Sequence, residues 1–255
     1  MLMSVIEGAR SAPSYPDLAG KRVLITGLSS ACGVDIARAF AEHRTRLTLQ
    51  FAESGECMHA IAEIAAPLAL EIKAFGPIGP QTDDAVQFAR TAAQAFGGID
   101  VVVNLVVLAP TQIDASATTD DVEAVVAARL LLPFVLSNIA ANRMALTLTE
   151  GLILNIATLT ECAGGSGQAF SAVIKAAMAA MTRRQAEDWQ ARAIRFNAIA
   201  PQIAPAGTAP VLSGEPEVAA VALYLASNRG KALSGLVFDA EPSQGLDGRS
   251  STLAS

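Results

Sequence analysis

The chain has 255 residues, of which 52% are hydrophobic and 16% charged, with a formal net charge of −6. That length suits one large domain or two small ones and can bury a core without disulfide or metal staples. The apolar content excludes a disordered chain, and the acidic balance leaves no basic footprint for nucleic acid. Cys32, Cys57 and Cys162 lack CxxC spacing, so no metal site and no disulfide framework is predicted, and a reducing, cytoplasmic setting is expected. His43 and His59 stand apart in polar helical stretches and read as solvated surface, which argues against histidine-based catalysis. No apolar run reaches the roughly 18 residues of a membrane span. The opening MLMSVIEGARSAPSYPDLAG lacks the basic and then apolar pattern of a secretory signal.

Residues 1–19 read as an N-terminal arm, 20–242 as one domain and 243–255 as a polar tail. Within the domain, 23–26 is a short buried strand ending at Gly27, and 33–42 has helical apolar spacing. A strand at 47–51, a helix at 57–65, a strand at 68–75 and a helix at 83–96 follow. The run 100–107 is an apolar strand interrupted by Asn104. One long helix is predicted over 119–143, opened by Thr118, Thr119, Asp120 and Asp121. Then come a strand at 151–157, a long Ala-rich helix at 166–191, a strand at 194–199, a helix at 216–227 and a last strand at 235–240. Short apolar strands alternating with helices predict a Rossmann-like, doubly wound parallel sheet of about seven strands in a three-layer α/β/α domain. Ligands of such sheets bind beyond the carboxyl ends of the strands.

The turn Thr26-Gly27-Leu28-Ser29-Ser30-Ala31-Cys32-Gly33 joins the first strand to a helix. Small residues there let backbone N–H groups approach an anion at the helix N-terminus, and Ser29 and Ser30 could add hydroxyl donors. Cys162 near Thr158, Thr160 and Glu161 and Cys32 in the turn are more simply packing or loop residues than nucleophiles.

The turn, the strand Asp100-Val101-Val102-Val103-Asn104, Lys175, Asn197-Ala198-Ile199-Ala200-Pro201 and Ser234-Gly235-Leu236-Val237-Phe238 together resemble a short-chain dehydrogenase/reductase, over roughly residues 18–242. The resemblance implies NAD or NADP, alcohol oxidation or ketone reduction, and a homodimer or homotetramer through 119–143 and 166–191. It implies cofactor contacts at Gly27, Ser29, Ser30, Cys32, Gly33, Asn104 and Lys175. It places Thr158, Ser171 and Lys175 at the catalytic positions.

The residues depart from that pattern where the chemistry is done. The family's proton-moving tyrosine stands four residues before the lysine; here that residue is Ser171, with Phe170 beside it. A serine hydroxyl is a far weaker acid than a phenol of pKa about 10, and it is shorter. Thr158 keeps the hydroxyl of the family's serine, and Arg129 stands where an asparagine is usual. Phe51 and Ala52 occupy the end of the second strand, where a ribose-binding carboxylate would stand, with Glu53 just beyond. Asn104-Leu105-Val106-Val107 replaces Asn-Asn-Ala-Gly. The stretch 201–216 is short for a substrate-closing loop. The expectation is a family member that is catalytically impaired or repurposed, as a partner subunit or small-molecule binder. The alternatives are an active NAD(P)-dependent oxidoreductase with altered machinery, or a non-redox enzyme on the same scaffold.

Overall fold

The computed structural model describes residues 14–29, 32–79, 81–108, 118–159, 165–200 and 215–238. Seven parallel strands form the sheet: β1 (Arg22–Leu28), β2 (Arg46–Phe51), β3 (Glu71–Phe75), β4 (Val101–Leu108), β5 (Gly151–Leu159), β6 (Ile194–Ile199) and β7 (Val237–Phe238). Their spatial order is 3-2-1-4-5-6-7, so the winding reverses between β1 and β4. In register, Thr26 lies beside Asn104, Asn104 beside Asn155, and Val107 beside Thr158.

The period-2 geometry of a strand sends successive side chains to opposite faces, and here both faces are covered. Val23, Ile25, Val101, Val103, Leu152 and Leu154 pack on the first face, beneath α1 (Val34–Glu42), α2 (Glu56–Ala65) and α7 (Glu215–Ala226). Leu24, Val102, Ile153 and Phe196 pack on the second, beneath α3 (Thr82–Ala92), α5 (Leu132–Leu146) and α6 (Gly165–Trp189). The near-continuous apolar strands of the sequence are thus the product of two interleaved cores. Asp100, just before β4, ties the strand starts together. Its carboxylate accepts two bonds from the Arg22 guanidinium, at 2.6 and 2.9 Å, and a third from the Arg22 N–H at 2.8 Å.

Several expectations need correction. The long helix over 119–143 is α4 (Thr119–Val126), a π-helical turn Ala127–Leu131, and α5, running on to Leu146. Pro133 explains the interruption, because its ring would crowd the carbonyl of Arg129 and it has no N–H to donate. The ladder relaxes to a wider bond from the Leu132 N–H to the Ala127 carbonyl. The continuous stretch Thr119–Leu146 is long and apolar enough, by length and composition, to cross a membrane. In the fold it flanks the sheet, with Leu136, Ala140, Ala141 and Met144 buried. The third strand starts at Glu71, not at 68, because Leu68 and Ala69 are still bonded back to Ala65. The arm is packed from Tyr15 onward: Tyr15 is 4% and Leu18 0% exposed, both in the first-face core. His43 is half-buried, its Nδ1 2.8 Å from the Ala39 carbonyl and its ring against Tyr15, whereas His59 is exposed.

Candidate functional site

The reversal of winding between β1 and β4 opens a crevice at the carboxyl ends of the strands. The turn from β1 into α1 forms one wall. Two glycines shape it for a steric reason. Gly27 has φ +79°, and a Cβ there would stand 2.4 Å from the Leu105 carbonyl oxygen. Gly33 has φ +100° and precedes α1, and its Cβ would meet Leu105 Cδ1 and Leu28 Cδ2 at 2.5 Å. Leu105 therefore presses directly on the turn.

Among the described residues of this turn, the Gly27, Ser29 and Cys32 N–H groups have acceptors. Gly27 N–H donates to Gln50 Oε1 at 2.9 Å. Ser29 and Cys32 exchange backbone bonds at 3.1 and 3.4 Å, and their side chains touch at 3.6 Å. At the start of α1, the Asp35 and Ile36 N–H groups donate to Glu215 Oε1 at 2.9 and 3.3 Å, and the Gly33 N–H also interacts with this carboxylate. Glu215 is half-buried. Burial pushes its pKa above the ordinary carboxylate value. The Ile36, Asp35 and Gly33 amides pull it down without cancelling the rise, and the neighbouring Asp35 charge adds to it.

Arg129 lies on the π-helical segment and is half-buried. Burial lowers its pKa, and the Cys32 thiol lies close enough to oppose that shift. A π turn carrying a half-buried cation beside a glycine turn is the kind of local irregularity often found at functional sites.

Gly27, Ser29, Cys32 and Gly33 lie together in the turn between β1 and α1. Asn104 is not at the crevice. It is 0% exposed, Thr26 Oγ1 donates to its Oδ1 at 3.0 Å, and its Nδ2 donates to Ser137 Oγ and Asn155 Oδ1 at 3.0 and 2.9 Å. Asn155 in turn donates to Thr182 Oγ1 on α6 at 3.2 Å. The side chain of Asn104 is therefore committed to a polar seam between the sheet and α5. Lys175 is half-buried on α6, between Ile174 and Met178, which face Val106 and Ala157. Ser171 lies one turn earlier on α6 and Thr158 in β5; both side chains lie outside the described residues, as do Ser30 and Cys162. Val107 packs against the first-face core. Phe51 is buried.

Sequence reasoning missed Gln50 and Glu215. Gln50 carried a signal, being a polar residue inside the apolar run of β2. Glu215 carried none, because its partners lie 180 and 179 residues away.

A dinucleotide would set its pyrophosphate on the N-terminus of α1. The residues present do not fit that group. The acceptor place at Asp35 and Ile36 is taken by a carboxylate, which a diphosphate would repel, and the Gly27 amide is engaged by Gln50.

Comparison with known proteins places the chain. The short chain dehydrogenase family model matches residues 21–211. The chain is 28% identical over 182 residues to an uncharacterized oxidoreductase of Thermotoga maritima, covering 71% of each. It is 26% identical to a 3-oxoacyl-[acyl-carrier-protein] reductase of Synechocystis sp., over 78% of this chain and 80% of that one. It is 28% identical to a galactitol 2-dehydrogenase (L-tagatose-forming) of Cereibacter sphaeroides, over 86% and 93%. The fold superposes on a short chain dehydrogenase from Mycobacterium smegmatis with a TM-score of 0.76 at 23% identity, covering 92% of this chain and 98% of that one. With its 3-2-1-4-5-6-7 sheet and glycine turn, the chain belongs to the short chain dehydrogenase family.

Proposed function

We propose that this chain keeps the family's oxidoreductase scaffold but does not carry out ordinary NAD(P)-dependent hydride transfer, and serves instead as a repurposed partner subunit or small-molecule binder. One observation carries the reading: no phenol is placed to work with Lys175. The chain has two tyrosines. Tyr15 packs in the first-face core against His43, and Tyr224 sits on α7 over that same face. Lys175 rides on α6, over the opposite face. In such chemistry the proton must pass between the substrate oxygen and a group of suitable acidity within hydrogen-bond reach. Ser171, one turn before Lys175, supplies a hydroxyl of much lower acidity.

The test is hydride transfer from NADH or NADPH to a panel of ketones and aldehydes, run beside Lys175→Ala. The expected result is no oxidation that depends on Lys175. The likeness to named dehydrogenases favours a second reading, an active oxidoreductase with altered machinery, and Lys175-dependent turnover would establish it.

The partner is a second copy of the chain. Val126, Leu131 and Phe134 along α4, the π turn and α5, and Val173 on α6, are exposed apolar side chains of 38%, 47%, 41% and 61%. An apolar set on neighbouring helices suits a symmetric interface. Light scattering of the purified chain should report a dimer or tetramer, and Leu131→Asp with Phe134→Asp should yield a monomer. A wild-type monomer at micromolar concentration would contradict this.

A further inference from the structure

We propose that the Glu215 carboxylate is a built-in occupant of the anion seat at the N-terminus of α1, and that it keeps diphosphate groups, those of dinucleotides included, out of the crevice. This goes beyond the reading above, which concerns proton transfer at Lys175, and it stands or falls separately.

Four features of the structure support it. Oε1 of Glu215 accepts from two successive amides of the first turn of α1, as a phosphate oxygen would. The residue is held there by its helix, because Val218, Ala219 and Ala222 of α7 share a core with Ile36 and Ala37 of α1. The far end of α7 is anchored as well: Arg195 donates to the Leu225 and Gly230 carbonyls at 2.9 and 2.8 Å, and Lys21 to the Ala226 carbonyl at 3.1 Å. The helix is therefore fixed at one end by cations on its last carbonyls and at the other by the Glu215 contact.

The fourth feature is electrostatic. Glu215 lies in the first turn of α7 while bonding the first turn of α1, so one carboxylate serves two positive helix ends. Asp35 stands beside it and Glu217 shares the first turn of α7, while Arg129, on the π-helical segment, lies within electrostatic reach of Cys32. A diphosphate entering the seat would meet Glu215 and Asp35 in a partly desolvated space, where like charges repel strongly. The same amides cannot serve both acceptors, so binding there requires the carboxylate to leave.

The experiment compares wild type, Glu215→Ala and Glu215→Gln in the full chain. Circular dichroism first establishes that each is folded, and titration calorimetry follows with inorganic pyrophosphate, ADP and NADH. Removing the like charge and freeing the amides should tighten pyrophosphate and ADP binding by about tenfold or more in Glu215→Ala. Glu215→Gln keeps the acceptor and removes the charge, so it should gain less. Tightening with ADP and NADH but not with pyrophosphate would trace the gain to the nucleoside and overturn the proposal. Equal affinity in all three proteins, or micromolar NADH binding by wild type, would overturn it too. None of these outcomes depends on whether hydride is transferred.

Discussion

At the scale of single residues, two polar side chains hold the sheet, Asn104 within the strands and Asp100 at their start. Asn104 uses its amide between Thr26, Ser137 and Asn155 in a fully buried seam, where an unpaired polar group would be costly. Asp100 is the charged counterpart at the strands' amino ends. Burial pushes its pKa up, but the bonds and charge of Arg22 outweigh that and hold it below its ordinary value of 3.8. A carboxyl whose pKa is lower folded than unfolded contributes stability that is present above its ordinary value and lost as pH falls through the folded value. Wild type should therefore lose stability in acid below pH 3.8, and Asp100→Asn should lose less across that interval. At neutral pH Asp100→Asn should cost about 1.5–3 kcal/mol, the worth of hydrogen bonds to a charged group. Urea denaturation at a series of pH values reads both; an unchanged acid slope in the variant would contradict the assignment.

At the scale of elements, the strands and helices were legible because both faces of the sheet impose apolar periodicity. The sheet edges and the helix ends were less so. The π turn at Ala127–Leu131 needed the steric consequence of Pro133 for Arg129, four residues earlier, which apolar spacing does not report. The glycine turn was legible as a turn, but its tightness comes from Leu105 on a strand far away in sequence. That contrast gives a prediction. Gly20 and Gly27 have nearly the same φ, +77° and +79°, yet a Cβ at Gly20 meets nothing within 4 Å while one at Gly27 strikes the Leu105 backbone at 2.4 Å. Gly20→Ala should cost only the left-handed backbone strain, about 1–2 kcal/mol. Gly27→Ala should cost distinctly more, because backbone must also move. Thermal unfolding midpoints compare them directly, and equal losses would mean that Leu105 does not confine the turn.

At the scale of the whole molecule, the fold is the family's, and the activity we propose is not. The doubly wound sheet, its order and its two cores are those of an oxidoreductase family. The polar groups around the glycine turn and the start of α1 are the chain's own: Glu215 accepts from α1, Gln50 accepts from Gly27, and Arg129 lies within electrostatic reach of Cys32. The missing tyrosine was legible as a single letter at position 171, because the lysine fixes the frame in which it is read. The filled anion seat was not legible, since a contact spanning 180 residues exists only once the sheet brings α7 beside α1. Both features point away from hydride chemistry, one at the proton and one at the cofactor. The most direct measurement is deuterium transfer from 4-deuterated NADH and NADPH to a panel of carbonyl compounds, read by mass spectrometry at high protein concentration. No label above the level of Lys175→Ala is predicted; label that appears with wild type and vanishes with Lys175→Ala would contradict the account.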